Sequence, residues 1–500
     1  MGRMKPNHLP LARFTPALAR IVATVSVGFV VTQLDVTIVN IALARLATDL
    51  HASVARLQWI VDAYTLAFAV LMLSGGVLGD RYGARRMYAV GLVVFALASL
   101  ACGLAAEPAL LIAARAVQGA GAAMMLPNSL ALLNEACRHD RTLRARAVGF
   151  WTAAGAISIA AGPVAGGLLI AAFGWRSIFL VNLPLCAAGL AATLAWIPAP
   201  QRTRQAAGAA NASGSQRAPV RSLDIRGQLL AVVALTAFTG AVIEWRPLGF
   251  AHPAVAGGFV LAFVAACAFL FLEARAADPM LPLSMLHNRT FSAAVLFGVC
   301  VNLTYYGTVF VLALYLQHAR GESPLQAGLA FVPLTGGFLL SNIASGHAVS
   351  RFGTRPPMIV GALIAGSGYA LLSFVDATTP LAGLLVACLL IPSGMGLAVP
   401  AMTTAVLASV EPARAGTASA LLNTARQAGG AVGVAAFGAL TGTGVAAQVV
   451  AGLRAETLVS AALLLTAAGL AWFVRAEAAH SPAQALAAPD LEASRAKASR

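Results

Sequence analysis

The chain has 500 residues, of which 59% are hydrophobic and 10% charged, with a mean hydropathy of +0.82. Soluble domains carry about 25% charged residues, so this composition excludes a soluble globular enzyme and indicates an all-α polytopic membrane protein. The net charge of +15 would suit nucleic acid, but the basic residues fall in gaps between apolar runs, as loops facing anionic lipid do; the bilayer is the expected partner and nucleic acid is not.

A membrane span needs roughly 20 mostly apolar residues. Behind a basic N-tail (1–19), the candidate spans cover 20–43, 57–79, 87–106, 109–134, 146–172, 177–197, 223–244, 253–273, 290–316, 325–350, 357–375, 381–408, 415–441 and 457–475. The first run is long and holds Asp35, so it reads as an uncleaved span and not a signal peptide. Residues 198–222 are polar, small and basic, a cytosolic linker. The C-tail, 476–500, is Ala-rich and polar.

Of the 33 Lys and Arg residues, 25 fall in segments on the N-terminal side of the membrane and six in the opposite loops. Arg115 and Arg426 lie inside spans. This bias places both termini in the cytosol and requires an even number of spans. Trp59, Trp175 and Trp245 fall near outer span ends and Trp151, Trp196 and Trp472 near inner ones, as interfacial anchors would. Five of six cysteines lie in apolar runs and Cys137 in a basic loop, so no disulfide framework is expected. The Asn-x-Ser/Thr matches at Asn211, Asn288 and Asn302 fall in the cytosol or the membrane and read as chance.

The only lysines, Lys5 and Lys497, lie in the tails and neither follows a glycine, so no phosphate-binding GxxxxGK(S/T) loop exists. Zinc, calcium and CxxC patterns are absent as well. No metal, cofactor or catalytic constellation is expected, and uphill movement would have to draw on an ion gradient.

The chain repeats itself. GVLGDRYGARR from Gly76 and GHAVSRFGTRP from Gly346 share Gly, Arg, Gly and Arg at the same offsets, namely Gly76, Arg81, Gly83 and Arg85 in the first copy. Arg146 and Arg414 each precede a glycine, Gly162 and Gly430, by 16 residues. Spans 1–6 (20–197) thus correspond to spans 9–14 (290–475), with two inserted spans at 223–273. Paired repeats of this kind bind ligand near the midplane between the halves.

LDVTIVNIAL (34–43), GVLGDRYGARR (76–86), RAVQGAGAA (115–123) and GPVAGG (162–167) together resemble the signatures of the major facilitator superfamily, in its fourteen-span drug:proton antiporter branch. Ala84 and Ala44 depart from the basic residue and the proline usual at those positions. The resemblance implies two six-helix bundles plus two inserted helices, and proton-coupled efflux of small organic compounds by alternating access. It implies that Asp80 gates by meeting the N-terminus of span 13, a favourable place for a carboxylate; Ser350 stands at that position in the second copy. It also implies that Gly162, Pro163, Gly166 and Gly167 form an interface sealing the cytosolic side of an exporter. A monomer is expected, with a periplasmic adaptor left open, in the inner membrane of a bacterium.

Arg115 and Gln118 share one face of span 4, and an arginine in a span needs a partner or water. At about 1.5 Å per residue, Arg115, Asp35 and Asp62 occupy one layer of the outer half. Asp35 is the expected proton carrier; either Asp35 or Asp62 could hold Arg115. Asn40, Gln118, Asn302, Tyr305, Asn342 and Arg426 are candidates for the substrate cavity, with Tyr306 beside them. The rival readings are an exporter dedicated to one metabolite or antibiotic, and a proton-coupled uptake symporter.

Overall fold

The computed structural model describes residues 14–138, 140–198, 224–276, 283–376, 378–411 and 414–475. The N-tail to residue 13, most of the 198–222 linker with Asn211, and the 476–500 tail lie outside the described residues.

All the described regular elements are helical. The first set comprises α1 (Pro16–Asp49), α2 (Val54–Tyr82), α3 (Ala84–Leu104), α4 (Pro108–Ala136), α5 (Arg141–Phe173), the short α6 (Ser177–Leu180) and α7 (Asn182–Trp196). Then come the pair α8 (Ile225–Leu248) and α9 (Pro253–Arg275), and the short α10 (Leu283–Leu286). The second set comprises α11 (Arg289–Leu314, prolonged by a π-turn over Tyr315–Ala319), α12 (Pro324–Ala330), α13 (Val332–Phe352), α14 (Arg355–Leu372), α15 (Leu381–Ala408), α16 (Ala415–Leu440) and α17 (Ala446–Ala471).

Local chemistry sets the ends. The side chains of Thr15, Ser53, Asp224, Asn288 and Ser323 accept first-turn N–H groups at their helix starts, satisfying donors that a helix cannot pair itself. Asn288 is thus an N-cap, which explains its Asn-x-Thr match. Gly83 (φ +96°) and Gly353 (φ +77°) close α2 and α13 in the left-handed region, where only glycine sits without strain.

Among the described residues, twelve helices are long and apolar enough to cross a membrane, against the fourteen spans expected. The two that fall short are α14, which is only 18 residues long and opens on Arg355, and α16, which carries Asn423, Arg426 and Gln427. Both are packed among other helices: α14 on α15 and α17, α16 on α11 and α2.

The two sets pack in matching patterns. In the first, α1 meets α5, α2 and α3 meet α4, and α7 meets α1 and α3. In the second, α11 meets α16, α13 and α14 meet α15, and α17 meets α11 and α14. The duplicated loop motif makes matching contacts too. Arg85 donates to the Thr193 and Leu194 carbonyls ending α7, at 3.4 and 3.0 Å. Arg355 lies 3.9 Å from the ring centre of Trp472, which ends α17.

Helix α8 packs on both α2 of the first set and α16 of the second, and Gln228 ties it to α2, bonding Ser74 and the Val70 carbonyl (2.6 Å). The outer face of α9 is left bare and apolar, with Phe263 71% and Val260 63% exposed, as lipid contact requires. Trp151 and Trp175 depart from the expected anchoring role. Both are buried; Trp151 stacks on Phe29 with centroids 4.0 Å apart, and Trp175 meets Phe179 edge-on.

Candidate functional site

Small residues seat α4 against its neighbours. A Cβ on Gly119 would collide with the Tyr64 carbonyl of α2, and one on Gly121 would lie 2.8 Å from the Phe95 nitrogen of α3. With the backbones this close, Arg115 is wholly inside the first set, 1% exposed. Its Nε donates to the Ile60 carbonyl (3.1 Å), its Nη1 to Gln118 Oε1 (2.8 Å), and its guanidinium forms an ion pair with Asp35. The Tyr64 ring lies beneath it, 4.3 Å from Cζ.

Asp35 is fully buried. It also accepts from Gln118 Nε2 (2.8 Å) and, more weakly, from Asn182 Nδ2 (3.4 Å). Ser99 joins Gln118 and Asn182 at 2.9 and 3.3 Å. Helices α1, α3, α4 and α7 thus meet in one polar network inside apolar surroundings. A buried ion pair is tolerable when its remaining donors and acceptors are satisfied in this way.

The choice between the two carboxylates goes to Asp35, and Asp62 does not hold Arg115. Asp62 is also fully buried, yet neither of its oxygens has a hydrogen-bond partner among the described residues. It lies one turn from Gln58, on the same face of α2. Gln58 reaches across to the second set, donating to the Val434 and Ala435 carbonyls of α16 at 3.1 and 2.7 Å.

Between the two sets, at mid-depth, lies a cavity of about 230 Å³. Phe29, Gln33 and Thr152 line it from the first set, and Asn302, Tyr305, Tyr306, Phe338, Asn342 and Arg426 from the second. Arg426 Nε donates to Asn302 Oδ1 at 3.0 Å. Of the residues expected at the cavity, Asn302, Tyr305, Asn342 and Arg426 are there. Gln118 instead belongs to the charge network, and the Asn40 amide bonds the Val36 carbonyl of its own helix (2.8 Å).

The GPVAGG motif lies toward the end of α5 farthest from Gly83, here termed the far end. The end carrying Gly83, Gly353 and most loop arginines is the basic end. A Cβ on Gly162 would strike Thr37, and one on Gly166 would sit 2.8 Å from Ile38 Cγ1, both on α1. A Cβ on Gly167 would sit 2.8 Å from the Pro324 carbonyl oxygen and Leu325 Cα, and one on Gly328 would strike the Pro163 carbonyl. In this structure the contact that this motif makes between the sets is therefore at the far end. It lies there because Gly167 is only six residues from the end of α5 and α12 begins at that same end. Asp80 is exposed and makes no hydrogen bond or ion pair among the described residues; the structure does not bring it to the start of α16.

Several members of the site escape the motifs. Ser99, Asn182 and Gln58 are common polar residues that only three-dimensional proximity singles out. Glu456 had a signal, as an acid at the edge of an apolar run. It is fully buried in α17, accepts from Thr308 Oγ1 (2.9 Å) and Ser460 Oγ (3.3 Å), and leaves Oε1 without a partner. Ser99 and Tyr369, 270 residues apart like Gly76 and Gly346, both face these interior clusters: Ser99 in the first set, Tyr369 on α14 beside Glu456 in the second.

The sequence matches the Major Facilitator Superfamily over residues 25–434. It is 39% identical over 426 residues to the methylenomycin A resistance protein of Streptomyces coelicolor, covering 85% of this chain and 86% of that one. It is 35% identical over 423 residues to the multidrug resistance protein Stp of Mycobacterium tuberculosis, covering 85% and 75%. Among solved structures, the xylose transporter XylE of E. coli superposes with a TM-score of 0.61 at 14% identity, covering 93% of this chain and 98% of that one.

Proposed function

The chain belongs to the major facilitator superfamily, and on that premise we propose that it exports small organic compounds, antibiotics among them, by alternating access driven by protons. Resistance and efflux proteins among its relatives support the direction. The observation that carries the transport reading is the mid-depth cavity between two matching helix sets, closed toward the far end by Gln58, Gly167 and Gly328.

We place the chain in the fourteen-span drug:proton antiporter branch, with α14 and α16 crossing as well. For α16 its packing between other spans supports this, because a helix wrapped by protein and cavity needs less apolarity than one facing lipid; for α14 the support is its exposed apolar face of Val360, Leu363 and Leu371. An even count, with halves at 20–197 and 290–475 and an insert at 223–273, keeps both termini cytosolic, and the bias of basic residues agrees. The membrane is then the cytoplasmic membrane of a bacterium, and the basic end is cytosolic. In that frame the molecule faces inward, and the exposed Asp80 awaits its partner in the outward-facing state.

Proton coupling divides between the two acids. Asp35 is committed to Arg115, Gln118 and Asn182. Asp62 lies beside the Gln58 clasp, where burying an unpaired charge costs several kcal/mol. Closure of the far end therefore carries a proton in on Asp62; release of that proton toward the cytosol lets substrate bind from that side, and substrate leaves when the far end reopens.

In a strain lacking its own pumps, the protein should confer resistance to a set of compounds in a broad susceptibility screen. Resistance to a single compound would select a dedicated exporter. Increased accumulation would select uptake, and an unchanged profile would sink the export reading. In everted vesicles, an exported compound should dissipate an imposed pH gradient, and Asp62→Asn should abolish this.

A further inference from the structure

Two arginines lie inside spans, and they differ in what surrounds them. Arg115 has a carboxylate, an amide oxygen, a backbone carbonyl and an aromatic face. Arg426 has one hydrogen bond, from Nε to Asn302, and takes part in no ion pair among the described residues. Its two terminal nitrogens, the prongs that grip a carboxylate in bidentate fashion, are left without a protein partner. Their position is built. Gly298, one turn from Asn302 on α11, clears the arginine stem, since a Cβ there would lie 3.1 Å from Arg426 Cγ.

Arg426 is the only charged residue among the described residues lining the cavity, and no carboxylate lines it. An unpaired cation at this depth is costly, and an anion entering the cavity offsets that cost. A cation entering would meet repulsion that low dielectric strengthens. The remaining wall is largely apolar: Tyr305 stands edge-on to Tyr306 and Phe338, with centroids 5.4 Å apart in both pairs. At about 230 Å³, the cavity falls below the roughly 300–1,000 Å³ of drug-sized sites.

We propose that the favoured substrate is a compact organic anion, a carboxylate on an apolar body, whose acid group is held by the Arg426 fork while the body rests on the Tyr305–Phe338 wall. This rests on the transport reading and names its substrate class.

The test is equilibrium binding to the purified full-length protein in detergent at neutral pH. The probes are benzoate, cinnamate and 2-naphthoate, each with its carboxamide and its corresponding primary amine. At least one acid should bind about tenfold or more tighter than its carboxamide, a factor of ten being about 1.4 kcal/mol, and the amines should bind weakest. Arg426→Gln should erase the preference and Arg426→Lys should keep part of it. The proposal is overturned if amides or amines match the acids, if no acid binds, or if the preference survives in Arg426→Gln. Should that variant fail to fold, the wild-type ranking of acid, amide and amine decides alone. Resistance confined to neutral and cationic compounds would overturn the anion preference while leaving export standing; no resistance to any compound would strike at export itself.

Discussion

At the scale of single residues, the Arg115–Asp35 pair makes an asymmetric prediction. Arg115→Ala strands a buried carboxylate on two amides, a loss expected to cost about 3–5 kcal/mol. Asp35→Asn leaves the guanidinium its Ile60 carbonyl, Gln118 and the Tyr64 ring, and should cost less. The double variant Asp35→Asn with Arg115→Gln should melt above Arg115→Ala alone, as thermal unfolding in detergent would record. Glu456 gives a second prediction. Glu456→Gln keeps an oxygen for Thr308 and Ser460 and should fold like the parent. Glu456→Ala strands both hydroxyls and should lower stability by about 1–3 kcal/mol, read in the same melting experiment. The partnership of Asp35 with Arg115 was half legible in advance. Counting residues along a helix gives depth, and depth put Asp35, Asp62 and Arg115 in one layer. It does not give rotation about the axis. The face of α2 that carries Asp62 also carries Gln58, which points to α16, so α2 offers Arg115 the Ile60 carbonyl and not the acid.

At the scale of elements, close packing depends on glycine at the contact between α5 and α12. Gly328→Val should force α12 off the Pro163 carbonyl, because a Cβ there has no room. Helix α13 can keep its own packing on α15, so the protein should still fold while the far-end seal weakens. Spin labels at positions 53 and 443, in the far-end turns before α2 and after α16, should report a longer distance in Gly328→Val than in the parent. An unchanged distance would mean that Gln58 alone holds the closure. Helices themselves were readable from apolar runs, and their ends were not. Helix α17 starts at Ala446, well before the apolar run at 457, and runs through Gln448, Arg454 and Glu456 without a capping side chain. Glu456, one residue before that run, is thereby interior. The partner of the GPVAGG motif was hidden for a related reason: spacing shows which helix a glycine serves, and only the fold shows that Gly167 and Gly328 meet across the two sets.

At the scale of the whole molecule, the two sets repeat one packing pattern but distribute charge differently. The first set keeps its cation paired within its own interior. The second leaves Arg426 facing the shared cavity and keeps a carboxylate, Glu456, among hydroxyls. The paired loop motifs announced the duplication in the sequence, whereas this division of charge depends on which way each side chain faces. Neither interior cluster lies at the seam between the sets; Asp62 does, beside the clasp that closes the far end. On the proposed mechanism, closing the seam over an ionised Asp62 is costly and closing it over the neutral acid is not, which links closure to proton uptake. Linkage fixes the sign: the state that binds the proton more tightly loses population as pH rises. The same labels at 53 and 443 should show the far end opening with increasing pH in the parent protein. In Asp62→Asn, where no charge can form, the distance should stay short across the pH range. A parent distance that ignores pH, or an Asp62→Asn variant that opens like the parent, would remove Asp62 from the coupling mechanism and return that role to Asp35.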